Sequence, residues 1–196
     1  MATREQLNHW GTLTYHDPAR ILRELRALEH EVASIEDEKV RRLRTPTLKK
    51  YREWRDAALF TYGMSVAQER PMGYATEESG DYDFVVAWTA DEEQHFCPVQ
   101  LKELVPADLN PRATLEGLLA SLPSYSPGTD TVLAIKLNRR GKMDLKSIRL
   151  PAIPFKQLWF FWAAAADGSR WAIYGDALRE PGQATFEYPN QVRASA

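Results

Sequence analysis

Two alternating apolar segments, Asp83 to Ala90 and Phe96 to Leu104, stand either side of Asp91-Glu92-Glu93-Gln94. Strand-rich segments divided by so short a polar run read as an antiparallel hairpin, and that pairing constrains the chain more than any other feature. Successive side chains of a strand point to opposite faces, so Gln100 and Lys102 share one face while Val99 and Leu101 share the other. Sixteen residues separate Asp83 from Gln100, which allows one strand, the turn and the return. The return places Asp83 beside Gln100 and Lys102. A carboxylate, an amide oxygen and an ammonium meeting at one point are the groups that metal-assisted phosphodiester hydrolysis uses.

The flanking segments supply an order of elements. Asp17-Pro18 is a helix start, an N-cap acid followed by proline at the first helical position. Ile21, Leu25, Leu28, Val32 and Ile35 then recur at a period near 3.5. That narrow seam predicts a helix over 17–44 packed on a partner helix, either of its own domain or of a second copy, so a homodimer through this helix is expected. A second helix is expected from Thr47 to Tyr62, with Leu48, Tyr51, Trp54, Ala58, Leu59 and Tyr62 on one face and Gly63 ending it. Val66 to Met72 reads as a first strand, ahead of the hairpin. Pro111 begins a helix running to about Leu122, stopped by Pro123, Ser124 and Pro127-Gly128. Thr131 to Leu137 is a β-branched, mostly apolar strand. Ser147 to Ile153 follows, then a hairpin of Gln157 to Ala165 and Arg170 to Gly175 around Asp167-Gly168-Ser169. Its aromatics, Trp159, Phe160, Phe161, Trp162, Trp171 and Tyr174, can stack bases but read first as sheet core. Residues 1–16 carry no strong signal, and the tail after Pro181 reads as irregular.

Helix, three strands, helix and strand over 47–138, with Asp83 at a strand start and Gln100-Leu101-Lys102 on the next strand, resembles the PD-(D/E)XK nuclease superfamily (restriction-endonuclease-like) in its QxK variant. The resemblance implies an α/β (α+β) protein with an αβββαβ core around a central mixed sheet. It divides a single domain of residues 1–196 into an N-terminal helical extension (1–46), a nuclease-like core (47–138) and a C-terminal sheet extension (139–196) carrying the aromatic hairpin. It implies that Asp83 and Gln100 hold Mg²⁺ (or Mn²⁺), that Lys102 stabilises charge on the phosphate, and that a helical acid completes the catalytic set. Glu53 is the candidate for that acid, with Glu69 of the first strand as runner-up, and Asp81 rivals Asp83. The chain departs from the family in carrying Tyr82 where proline precedes the aspartate, and Gln100 where an acid is commoner. The implied activity is Mg²⁺-dependent endonucleolytic hydrolysis of DNA. Two other readings stay open: a catalytically inactive domain of the same fold binding nucleic acid or protein, and an unrelated α+β interaction protein.

Composition narrows the rest. Hydrophobic residues form 44% of the chain and charged residues 27%, the balance of an ordinary globular protein. Net charge is −2, so any nucleic-acid contact depends on local distribution. Lys39, Arg41, Arg42, Arg44, Lys49, Lys50, Arg52 and Arg55 face only Glu53 and Asp56 in the segment 39–56. A second basic stretch holds Lys136, Arg139, Arg140, Lys142, Lys146 and Arg149 against Asp144. Acids gather in Glu77, Glu78, Asp81, Asp83 and Asp91 to Glu93. Two basic segments around an acidic centre suit a protein that grips phosphates and cuts one. The lone Cys97 precludes an intramolecular disulfide and reads as a buried thiol. The four histidines are scattered, and there is no glycine-rich phosphate loop or nucleophile elbow. No charged-then-apolar leader opens the chain, and the longest apolar run, Leu158 to Ala166, is far shorter than a membrane span; a cytoplasmic location is expected.

Overall fold

The computed structural model describes residues 2–77, 81–125, 130–139, 141 and 143–189. Helices α1 (Arg4–Gly11), α2 (Pro18–Val32), α3 (Glu38–Arg41) and α4 (Lys49–Ala67) precede strands β1 (Gly73–Ala75), β2 (Phe84–Ala90) and β3 (Glu93–Leu104). Helix α5 (Leu115–Ser121) leads to β4 (Val132–Leu137), β5 (Gln157–Ala163), β6 (Arg170–Gly175) and β7 (Gly182–Glu187). The strands form one mixed seven-stranded sheet in chain order. β1, β2 and β3 are antiparallel, β3, β4 and β5 parallel, and β5, β6 and β7 antiparallel again. The expected helix, three strands, helix and strand therefore occur in order. The protein is a mixed α/β one, with β4 parallel to β3 across the α5 crossover.

Each face of the sheet buries its own core. Helices α2 and α4 cover Phe84, Val86, Val99, Ala134, Trp159, Phe161 and Ile173. Helix α5 and the strap from Met143 to Phe155 cover Leu104, Leu133, Ile135, Leu158 and Phe160. The strap is where an extended segment over Ser147–Ile153 was expected. Pro151 and Pro154 interrupt its donors, and Leu145, Ile148, Leu150 and Ile153 pack onto the sheet without pairing to it. Five of the six expected core aromatics are buried, and Trp162 is half-buried.

The seam on α2 finds its partner helix within the chain. Ile21, Leu22, Leu25 and Val32 are buried and α2 packs on α4, while the helix stops at Val32, well short of Arg44, and leaves Ile35 exposed. The face that motivated a homodimer is thus already covered. Helix α4 also runs past Gly63. A Cβ there would lie 2.7 Å from the Phe186 ring, so this glycine admits the close approach of β7 rather than ending the helix. The end falls at Glu69, whose positive φ of 51° and Arg70 N–H to Ser65 carbonyl bond make a Schellman-type stop. Val66 and Ala67 are consequently helical, no strand forms over the expected Val66–Met72, and β1 is a three-residue strand beyond it, at Gly73–Ala75.

Two further elements depart from expectation. Thr3 and Gln6 form a reciprocal capping box at the start of α1. Ala184, Phe186 and Tyr188 turn inward while Gln183, Thr185 and Glu187 face out, and that alternation makes β7. The hairpin itself closes as expected, with Asp91 and Glu92 both at positive φ, as a two-residue turn between right-twisted strands requires.

An ion pair crosses the first core. Lys136 of β4 lies 2.6 Å from Asp56 of α4, and both are buried. Burial alone would raise the Asp56 carboxyl, but Lys136 and Arg55 outweigh it and hold the group below its usual range. Arg55 also donates to Glu29 of α2, so the pair joins two helices to the sheet. Asp56→Ala should strand a buried ammonium and cost about 3–5 kcal/mol in urea unfolding, while the double change Asp56→Leu with Lys136→Met should recover most of it. Because the folded Asp56 value is depressed, its contribution is present above about pH 3.9 and is lost as the pH falls through the folded value. The loss of stability on acidification should therefore shrink in the double variant.

Candidate functional site

The site is built where β2 begins. Phe84 pairs with Val99, yet the Asp83 amide also donates to the Val99 carbonyl at 2.9 Å. Two residues on one strand facing one on the other is the arrangement of a β-bulge, which re-aims the extra side chain. The Asp83 carboxylate takes up the ladder from there. Its Oδ2 accepts the Leu101 amide at 2.6 Å and the Gln100 Nε2 at 2.5 Å. An ionised carboxylate only accepts, so Gln100 must turn its N–H side to Asp83 and its oxygen away from that contact.

Asp83 also lines a hollow of about 330 Å³ against α4. Lys50, Glu53, Trp54 and Ala57 form the helical wall, with Thr76, Phe84 and Leu101 opposite. Spacings of 3, 1 and 3 put those four residues on one helix face, which is why they reach the hollow together. Glu53 pairs with Lys49 at 3.2 Å, a partly exposed contact of little energetic weight. Lys50 Nζ sits 5.1 Å from the centroid of the Tyr51 ring.

Of the expected residues, the structure joins Asp83 to Gln100 directly and brings Glu53 to the same hollow. Lys102 goes elsewhere. Gln100 and Lys102 are in register with Leu133 and Ile135, whose side chains belong to the core beneath α5. Lys102 Nζ lies 4.3 Å from the centroid of the Tyr125 ring, a cation–π contact on that side of the sheet. Asp83 itself departs from regular pairing, its amide on the Val99 carbonyl, and lines the hollow with Phe84 and Leu101. Glu69 stands in the turn after α4, not in a strand, and neither Glu69 nor Asp81 lines the hollow. Lys50 and Trp54 are lining residues that the motif does not contain; the spacing of Glu53 and Trp54 three and four residues after Lys50 is the signal that would have found them.

The basic segments are largely committed within the fold. Arg42 pairs with Asp108 and Glu38, Arg44 with Glu103 at 2.7 Å, and Arg55 with Glu29 and Asp56. Arg41 and Arg139 donate to backbone carbonyls, and Lys136 is interior. Lys146 and Arg149 are exposed, whereas Arg140, Lys142, Glu78 and Pro127-Gly128 lie outside the described residues. Burial pushes the Cys97 thiol up to about 12, so it stays protonated and unreactive near neutrality.

Two carboxylates in one hollow suit a hydrated Mg²⁺ or Mn²⁺, which needs only one or two such ligands beside its waters. Glu53 and Asp83 are the two carboxylic acids that line this hollow, and Gln100 donates to Asp83. Among the described residues no three His, Cys, Asp or Glu side chains gather as a metal cluster. No helix among them is long and apolar enough to cross a membrane. The fold and hollow define a mixed α/β protein with a carboxylate-bearing concavity at a strand bulge. No family model, curated protein or solved structure matches the chain.

Gln100→Glu tests the bond to Asp83. It removes a donor and sets two carboxylates together, and should cost about 1–3 kcal/mol of stability without metal. If the hollow takes a cation, millimolar Mn²⁺ should restore more stability to this variant than it adds to the parent chain, as read by thermal unfolding. An unchanged melting temperature would mean that the Gln100–Asp83 bond has no energetic role.

Proposed function

We propose that the protein is a metal-dependent phosphodiesterase acting on DNA, with its centre in the hollow between α4 and the head of β2. One observation carries the reading: Glu53 and Asp83, from separate elements, line one concavity beside Lys50. Glu53 and Asp83 would hold Mg²⁺ or Mn²⁺, which when bound lowers the pKa of an attacking water and offsets charge on the phosphate. Lys50 attracts the phosphate and stabilises charge that grows on its oxygens. Gln100 and the Leu101 amide fix the Asp83 carboxylate, leaving less of its orientation to chance. Lys102, directed to Tyr125, serves the fold in this scheme. The resemblance to PD-(D/E)XK nucleases in order and motif supports the same chemistry, with Lys50 in place of the strand lysine.

A catalytically inactive nucleic-acid-binding domain is the second reading. The observation favouring it is that Asp83 Oδ2 already accepts two N–H groups while Lys102 is engaged by an aromatic ring.

Supercoiled plasmid and single-stranded circular DNA, incubated with Mn²⁺, Mg²⁺ or chelator, separate the two. Metal-dependent cleavage that falls at least a hundredfold in Glu53→Gln and Asp83→Asn, at least tenfold in Lys50→Ala, and within about twofold in Lys102→Ala supports the hydrolase, given circular dichroism showing folded variants. Binding without cleavage under every condition selects the second reading. Loss of cleavage in Lys102→Ala alone would return the strand lysine to the mechanism.

A further inference from the structure

We propose that the occupant of this hollow is an unpaired nucleotide, its base stacked on Trp54 and its phosphate beside Lys50. The proposal rests on the phosphodiester reading above for the class of ligand, and adds to it the strand state that the site accepts.

Of the six tryptophans, Trp88 and Trp162 are half-buried and Trp54 is the one that is exposed. Trp10, Trp159 and Trp171 are buried at 7% exposure or less, whereas Trp54 is 38% exposed on the wall of the hollow. One contact holds its backbone and one its ring. The Trp54 carbonyl accepts the Tyr74 hydroxyl at 3.3 Å, tying α4 to β1, and the Tyr51 ring meets its indole edge-on, 6.1 Å between centroids. A ring held this way, with one part left to solvent, offers a stacking surface at small cost in side-chain entropy.

Size and charge then choose the partner. At about 330 Å³ the hollow stands at the lower end of ligand pockets, roughly 300–1,000 Å³. That suits one nucleotide and excludes the width of a duplex. Base faces inside a duplex are covered by their neighbours, so only a splayed, terminal or single-stranded base can present a face to an indole. Lys50 lies one turn before Trp54 on the same helix face, placing a cation beside a stacked base where its phosphate would run. Glu53 and Asp83 would then stand close to that phosphate.

The test uses the whole protein and a fluorescein-labelled twelve-nucleotide oligothymidine, against a blunt hairpin duplex of equal strand length, read by anisotropy in chelator and again in Ca²⁺. The single strand should bind at least tenfold more tightly than the hairpin. Trp54→Ala should weaken single-strand binding about tenfold and leave the hairpin unchanged, while Trp54→Phe keeps most of the affinity, because base–aromatic stacking is worth about 1–3 kcal/mol per base. Equal affinity for the two probes, no binding of either, or a Trp54→Ala variant that binds the single strand normally would overturn the proposal. Cleavage of the same oligonucleotide in Mn²⁺ keeps the two readings apart. Trp54-dependent binding with no cleavage sinks the hydrolase and leaves the nucleotide site standing. Cleavage indifferent to Trp54 does the reverse.

Discussion

The buried contact between Asp56 and Lys136 sets the rest of the molecule in place. Removing two charges from water is expensive, and an apolar pair of similar volume is often as stable or more so. The gain is positional. Helix α4 has one rotational setting in which Asp56 reaches Lys136 of β4. That setting turns Lys50, Glu53, Trp54 and Ala57 toward the start of β2 and brings Gly63 against Phe186 at the other end. A helix packed by leucines alone could slide by a fraction of a turn. One anchored through a salt bridge in the interior and a missing Cβ near its end cannot.

The same contact belongs to a chain of charge through the first core. Arg55 connects Asp56 to Glu29, Arg26 pairs with Glu29 at 3.2 Å, and the Arg26 guanidinium lies over the Tyr188 ring. Tyr188 in turn donates to the Leu22 carbonyl at 2.9 Å. Helices α2 and α4, strand β4 and the segment after β7 are thereby linked by polar contacts running through apolar packing. In such surroundings a half-broken network costs more than none, which favours all of it forming at once. Of the eight basic residues in the segment 39–56, Arg55 belongs to this network and Arg42, Arg44 and Lys49 each answer another acid, while Lys39 and Lys50 stay exposed.

What was legible in the sequence follows the reach of each signal. The hairpin of β2 and β3 and the order of elements around it rest on local alternation and turn chemistry, and both read correctly. Glycine at 63 misled because its meaning is tertiary; it stands where β7 presses on α4, and nothing local distinguishes that from a helix stop. Lys136 and Asp56 group in the sequence with the basic and acidic residues of their segments; Lys136 stands between Ile135 and Leu137, yet only its pairing across 80 residues with Asp56 accounts for a charge in the interior. The alternation of Ala184, Phe186 and Tyr188 was present but discounted after Pro181. At the site, parity correctly kept Gln100 with Lys102 but could not reveal the irregular pairing at the head of β2, where Asp83 lines the hollow against α4. A single extra residue in a strand leaves no mark in composition.

The Asp83 cap has a consequence for descent. Its carboxylate closes a ladder that β2 no longer supplies, receiving the Leu101 amide and the Gln100 side chain. Whatever the hollow binds, selection on the fold alone would keep an acceptor here, because an unmet amide in a partly buried strand is costly. The neighbouring Glu53 pairs with an exposed lysine, Lys49, a contact of little energetic weight. Among descendants of a common ancestor, drift at position 53 with constancy at position 83 would mark the branches where only the architecture was under selection.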